Sequence, residues 1–279
     1  MEKVLDILKK NNFMFKKKFG QNFITDTNLL DAIVNDAGIT KDDEVLEIGT
    51  GAGTLTMALA TKCKKVLSLE IDNSLRPILS QNFNGFNNIE LCFADFMKVS
   101  SSELNNHFSK SFKVVANLPY YITTPIIFKL INQGFNVESI TIMVQKEVAD
   151  RLTATSGAKD YGSITVLISS IADATVTRVV NRKMFTPAPN VDSAIVNINL
   201  KPNKYFIKDY NLHSKVIESA FSMRRKTLSN CLKSKLNLSQ EQINSLFDKL
   251  NLHPQIRGEV LDTQHFVKLS NAIYNLIER

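Results

Sequence analysis

Four consecutive residues, Asn117-Leu-Pro-Tyr120, follow directly on the apolar run 112–116. Their types suit one demanding reaction, alkylation of the exocyclic amino group of a base such as adenine. That nitrogen is a poor nucleophile, because its lone pair is delocalised into the ring. Two acceptors placed on its two hydrogens localise the pair and aim it. The Asn117 side-chain oxygen is one acceptor, and the Leu118 carbonyl is the other, since the residue before a proline is held extended. Tyr120 can stack on the base and exclude water. Orientation and electrostatics then do most of the work, and no strong general base is needed. Taken alone, the same four residues also read as a strand-ending turn with a buried tyrosine.

A second constellation gives the first a context. In Glu44-Val-Leu-Glu-Ile-Gly-Thr-Gly-Ala-Gly-Thr-Leu-Thr56, a short apolar run leads into Gly49, Gly51 and Gly53. Thr54 is placed to cap a helix that continues through Leu55, Met57, Ala58 and Leu59. Glycines at such a turn let backbone approach a ligand closely. A second strand, 66–71, brings Glu70 about twenty residues past the glycines, where a nucleotide-binding βαβ unit puts the acid that grips ribose hydroxyls. The third glycine of the dinucleotide fingerprint is missing, since Thr54 stands in its place, so no pyrophosphate is required. Adenosine carrying an amino-acid arm, as in S-adenosylmethionine, fits equally well. A third candidate is the loop Phe185-Thr-Pro-Ala-Pro-Asn-Val-Asp-Ser193. Its two prolines stiffen it and are expected to present Phe185 outward, for stacking on a flipped base.

These residues need a scaffold, and the chain's periodicity supplies one. Strand-like runs at 66–71, 89–93, 112–116 and 140–144 alternate with helical patterns, which argues for a parallel sheet with helices on both faces. Right-handed crossovers bring the C-terminal strand ends into one crevice. Gly49, Glu70, Asp95 and Asn117 all fall at such ends. Upstream, the basic, aromatic loop 16–23 is expected to fold over a ligand, and a helix capped by Thr25 or Asp26 stops at Gly38. Beyond Gln145 come two helical patterns, then strands near 174–180 and 191–199 that close the sheet as a hairpin. From about Lys201 the texture becomes helical throughout. The expected division is therefore an α/β domain over 1–200 and a small all-helical domain over 201–279.

Composition sets limits. The chain has 279 residues, 44% hydrophobic and 22% charged, as in soluble globular proteins. No apolar run reaches membrane-spanning length, and the N-terminus lacks the apolar core of a signal peptide. Cys63, Cys92 and Cys231 are far apart, which suits a reducing cytosol and offers neither a disulfide frame nor a zinc pattern. The net charge of +7 is concentrated at the ends. Residues 1–20 carry six lysines against Glu2 and Asp6, and residues 201–279 carry thirteen Lys and Arg against seven Asp and Glu. Basic ends around a mildly acidic body suit an anionic polymer gripped by the ends, and Arg224, Arg225 and Lys226 are the densest cluster in the second end.

Five motifs carry a family resemblance over nearly the whole chain. They are Lys17-Lys-Phe-Gly-Gln-Asn-Phe23, Glu47-Ile-Gly-Thr-Gly51, Asn117-Leu-Pro-Tyr-Tyr-Ile-Thr-Thr-Pro125, Phe185-Thr-Pro-Ala-Pro-Asn-Val-Asp-Ser193 and Phe221-Ser-Met-Arg-Arg-Lys-Thr-Leu228. Together they resemble the ribosomal RNA adenine N6-dimethyltransferases, and within them the small-subunit branch. The resemblance implies a Rossmann-like class I methyltransferase sheet and S-adenosylmethionine as cofactor. The implied substrate is two adjacent adenosines in the 3′-terminal hairpin of 16S RNA in an immature small subunit. It implies a cytoplasmic monomer. By motif position, Asn22, Ile24, Gly49, Gly51, Glu70, Asp95 and Asn117 would hold the cofactor, and Tyr120 and Phe185 would sandwich the adenine. Ser229 departs from an arginine found in many relatives, which removes one phosphate contact. The competing expectations are the antibiotic-resistance branch acting on large-subunit RNA, a non-catalytic RNA-binding assembly factor and, more distantly, a nicotinamide dehydrogenase.

Overall fold

In the computed structural model the described residues are 4–11, 13–16, 19–223 and 225–278. The chain divides into two compact units: 1–149 with 175–199, and 150–174 with 200–279. This differs from a single cut at residue 200, because the segment 150–174 packs with the C-terminal helices.

The first unit opens with α1 (Val4–Lys10), β1 (Phe23–Ile24) and α2 (Thr27–Asp36). Asp26 caps α2 by accepting from the Leu29 N–H at 2.9 Å, and Gly38 ends the turn beyond it at φ +58°. Then come β2 (Glu44–Ile48), α3 (Thr54–Ala60), β3 (Lys65–Glu70), α4 (Arg76–Asn82), β4 (Ile89–Phe93), α5 (Ser101–Asn105), β5 (Phe112–Asn117), α6 (Thr123–Asn132) and β6 (Val137–Gln145). The sequence places the start of α3 one residue late: Gly53, in the left-handed region, occupies the cap, and Thr54 instead donates its hydroxyl to the Ile24 carbonyl at 2.8 Å. After α7 (Lys146–Leu152) and α8 (Ser163–Ile171), the chain returns through β7 (Ala172–Val180), β8 (Phe185–Thr186) and β9 (Ser193–Leu200).

Seven strands form one sheet in the order β4-β3-β2-β5-β6-β9-β7. The pairs β4–β3, β3–β2, β2–β5 and β5–β6 are parallel, and β6–β9 is antiparallel. Strands covered by helices on both faces are largely apolar; all five residues of β2 are buried, Glu44 and Glu47 among them. The chain order reverses direction between β2 and β5. Such a switch point leaves a crevice outside the carboxyl ends of the strands, and Gly49 and Asn117 stand at those two ends. A separate two-stranded ribbon joins β1 to β8, with Phe23 opposite Thr186 and Ile24 opposite Phe185.

The second unit holds α8 with α9 (Tyr210–Phe221), α10 (Leu228–Leu236), α11 (Gln240–Leu250) and α12 (Thr263–Ile277). Helices α8, α9 and α12 pack together. Ser239 and Gln242 form a capping box on α11, and Asp262 caps α12. His213 of α9 is fully buried, joined to Ser270 at 2.8 Å, and burial pulls its pKa down to about 4, so it stays neutral.

Candidate functional site

One crevice opens at the C-terminal ends of β2, β3 and β5, within the first unit. Asn22, Ile24, Gly49, Gly51, Glu70, Asn117, Leu118 and Tyr120 all line it. Register explains why residues so far apart in sequence meet. Ile48 lies beside Leu69, and Asn117, the last residue of β5, lies beside Met143.

The glycine loop has a different physical basis from the one its sequence suggests. A Cβ on Gly53 would sit 2.6 Å from the Phe83 ring, and one on Gly51 would sit 3.1 Å from the Phe23 ring. Both glycines also have positive φ, +80° and +56°. They are needed for the close approach of the protein's own aromatic side chains. At Gly49 a Cβ would meet nothing nearer than 3.9 Å, so that is where the loop leaves room for a ligand.

Glu70 braces this loop. Its two carboxylate oxygens accept from the N–H groups of Gly51 (2.8 Å), Ile71 (2.9 Å) and Asp72 (2.8 Å). A carboxylate offers about four lone-pair sites, so about one remains for a ribose hydroxyl. Burial raises the Glu70 pKa against the pull of those N–H groups. Beside it stands a residue that sequence reasoning passed over. Glu47 is 1% exposed yet lines the crevice. One of its oxygens accepts from the hydroxyls of Thr56 and Ser68, and Ser68 is joined to Thr50 at 2.6 Å. Burial, with the nearby Glu70 charge, pushes the Glu47 pKa up to about 8, so at neutral pH it is mostly an uncharged acid. The signal was present: an acid inside the apolar strand Val45-Leu-Glu-Ile48 must be buried.

Residues 19–24 close one side, and Phe19, Gly20, Gln21, Asn22, Phe23 and Ile24 all line the crevice. Phe23 packs at 6.0 Å from Phe13 and 5.3 Å from Phe15, ring centre to ring centre. Lys16 Nζ reaches Asp72 at 2.6 Å, and Gln21 Nε2 donates to the other Asp72 oxygen at 2.8 Å. Asp72 is 2% exposed; although burial opposes it, Lys16, Ser74 and Gln21 hold its carboxyl below the usual range. The segment is thus latched two residues beyond Glu70.

At the opposite wall, Asn117 Nδ2 donates to the Asn22 carbonyl at 2.9 Å. Tyr120 is half-buried and its hydroxyl pairs with Ser193 at 2.6 Å; burial raises its pKa, so it stays a phenol. Tyr121 is exposed at the rim.

Two expectations need correction or relocation. Phe185 does not face outward. It is 3% exposed and lies in the core with Ile24, Leu30, Ile33 and Ile195, where the pairing of β8 with β1 sets it opposite Ile24. Asp95 stands just past the end of β4 but is not among the residues lining the crevice. Its Oδ1 accepts from the Met97 N–H, and the same loop is tied to α6 by the buried Lys129, whose Nζ donates to the carbonyls of Met97 (2.8 Å) and Val99 (2.7 Å). Arg225 and Lys226 are exposed, in the connection between α9 and α10 and not on a helix. Arg224 lies outside the described residues. No group of metal-ligating side chains occurs among the described residues, and no described helix is long and apolar enough to cross a membrane.

The donor set suits S-adenosylmethionine: a carboxylate with spare acceptor capacity at Glu70, the apolar Ile71 beside it, and the open Gly49 between Glu70 and Asn117. The comparisons agree. A family model described as ribosomal RNA adenine dimethylase matches residues 12–271. A ribosomal RNA small subunit methyltransferase A from Clostridium acetobutylicum is 46% identical, covering 96% of this chain and 97% of its own. One of the same name from Listeria welshimeri is 41% identical over 99% of this chain and 96% of its own. A dimethyladenosine transferase from Plasmodium falciparum superposes with a TM-score of 0.72 at 30% identity, over 88% of this chain and 95% of that one. The 23S rRNA methyltransferase ErmE gives 0.67 at 25% identity, over 91% and 100%.

Proposed function

The chain belongs to the ribosomal RNA adenine dimethylase family, and we propose on that premise that its substrate is two adjacent adenosines in the 3′-terminal hairpin of 16S RNA, presented by an immature small subunit. It is an S-adenosylmethionine-dependent rRNA adenine dimethyltransferase. The small-subunit assignment follows the names of the relatives at 41–46% identity; the likeness to a large-subunit enzyme is weaker, at 25%.

The observation that carries the chemistry is the Asn117 amide. Its nitrogen is committed to Asn22, so its oxygen is the acceptor left for an amino hydrogen of adenine. The Leu118 carbonyl, fixed before Pro119, takes the second hydrogen, and the Tyr120 ring, anchored through Ser193, covers one face of the base. S-adenosylmethionine, when bound, supplies an electrophilic methyl group. Glu70 would accept from its ribose, Ile71 would pack on its adenine, and Asn22, Ile24, Gly49 and Gly51 would line the rest of its length. Asp95, which caps the loop that Lys129 holds, would add a contact to the cofactor from the end of β4. The latched segment 13–24 excludes water from the crevice, which strengthens each polar contact inside it. Arg225 and Lys226, with Arg224, grip RNA phosphates from the helical unit, which is the RNA-binding part of a cytoplasmic monomer.

The deciding experiment offers isolated, unmethylated small and large ribosomal subunits with labelled S-adenosylmethionine and maps the product. Dimethylation of two neighbouring adenosines in small-subunit RNA is expected. Labelling of large-subunit RNA alone, or of neither, overturns the proposal. Light scattering is expected to give the mass of one chain.

A further inference from the structure

We propose that Tyr121 is a further substrate-binding residue, whose ring is the platform for the RNA base next to the adenosine in the crevice. This rests on the reading above that the crevice accepts an adenine from RNA.

Four aromatic side chains line the crevice, and three are already used. Phe23 is 5% exposed within an aromatic cluster, Phe19 is partly covered and lies near the Lys16 ammonium, and Tyr120 is half-buried with its hydroxyl held by Ser193. Tyr121 stands out at 61% exposure. With Phe185 in the core, it is the most exposed of the aromatic residues described at this mouth.

The backbone presents it firmly. The Ile122 N–H and the Thr123 hydroxyl both donate to the Pro119 carbonyl, at 3.2 and 3.1 Å, and close a turn around residues 119–122. Thr123 is 1% exposed and begins α6. One edge of the Tyr121 ring rests above Gly20, where an added Cβ would lie 3.5 Å from Cδ1. The ring therefore has Gly20 beside one edge and, at 61% exposure for the residue, leaves a face open on which a base can settle.

Chemistry supplies the reason for a ring in this place. Drawing an adenine out of its stack costs a few kcal/mol and also strips its neighbour of a stacking partner. An aromatic ring at the mouth replaces that partner, and base–aromatic stacking tolerates any base. Where two adjacent adenosines are modified in turn, the same ring receives whichever one is outside the crevice.

The test uses a small-subunit hairpin RNA with 2-aminopurine beside the target adenosine, and the full-length protein. Binding of wild-type protein is expected to quench the fluorescence. Tyr121→Ala and Tyr121→Leu should abolish most of the quenching and raise KM for RNA about tenfold, more than they lower kcat, as removal of one base-stacking ring predicts. Tyr121→Phe should behave as wild type. Leucine still covers Gly20, so Tyr121→Leu should keep its affinity for S-adenosylmethionine and its melting temperature. Undiminished quenching with an unchanged KM overturns the proposal. So does a loss of cofactor affinity and thermal stability with KM for RNA unaltered, which would make Tyr121 a packing residue for the segment over the crevice. Methyl transfer by the wild-type protein is measured alongside. Its failure would sink the proposed substrate, while the fluorescence arm would still decide whether Tyr121 stacks on RNA.

Discussion

Asn117 holds two parts of the site at once. Its nitrogen ties the segment 13–24 to the strand end, and its oxygen is left for the amino group. Asn117→Ala is expected to lower kcat by about 10²–10³, by analogy with removal of one preorganised hydrogen-bonding group, with little change in melting temperature. Single-turnover methyl transfer beside thermal melting checks this, and near wild-type turnover would remove Asn117 from the mechanism. Glu47 behaves differently, because its effect is on stability. Its pKa rises from an ordinary 4.5 to about 8 on folding. Between those values the native state holds a proton that the unfolded state has lost, so this group makes stability fall as pH rises. The fall is about 1.4 kcal/mol per pH unit. Below pH 4.5 the penalty is absent, and above about 8 it stops growing. Glu47→Gln, neutral at every pH, is expected to flatten that slope in urea melts from mildly acidic pH up to about 8. An identical slope in both proteins would show that Glu47 is ionised when buried.

Among the elements, the short ribbon of β1 and β8 does more than its two pairs of residues suggest. It carries Ile24 to the crevice and Phe185 into the core, and Ile24 also receives the Thr54 hydroxyl from α3. Phe185→Ala therefore belongs with large-to-small core changes, which cost about 3–5 kcal/mol. The expected outcome is a lowered denaturant midpoint, with RNA and cofactor affinities nearly intact at low temperature in the protein that remains folded. A selective loss of RNA affinity at unchanged stability would instead restore Phe185 to a stacking role. The latch is a second element-level device: Lys16, Gln21 and Asp72 join the segment over the crevice to the end of β3, two residues from Glu70.

At the scale of the whole molecule, charge is concentrated at the two ends of the chain. Residues 21–200 are mildly acidic, and the surplus of cations lies in residues 1–20, which belong to the unit with the crevice, and in 201–279. Arg225 and Lys226 sit exposed in a connection between helices, where side chains reach outward without disturbing helix packing. Arg225→Gln with Lys226→Gln should therefore leave thermal stability unchanged and weaken RNA binding. For each phosphate no longer gripped, the slope of log K against log salt should fall by roughly 0.7–0.9. Titrations from low to moderate salt check this; an unaltered slope would mean that RNA is held elsewhere.

What the sequence determined by itself was local and periodic. Alternating strand and helix patterns specify a parallel sheet, and crossover handedness then sends Gly49, Glu70 and Asn117 to one edge, where the structure has them lining one crevice. The cap of α2 was legible to within one residue, as Thr25 or Asp26, because a cap is decided within four residues. Tertiary structure decided everything that depends on a partner distant in the chain. Phe185 reads as exposed until β8 pairs with β1, far earlier in the chain at Ile24. Gly51 and Gly53 read as ligand-facing until Phe23 and Phe83 arrive above them. Glu47 reads as buried from its apolar strand, but only the folded sheet supplies Ser68 and Thr56 as its partners. Tyr121 reads as the second of two tyrosines until the turn after Pro119 sends its neighbour inward to Ser193 and leaves it in solvent. A strand's period says which residues alternate, but only the packed neighbour determines which of them are removed from water.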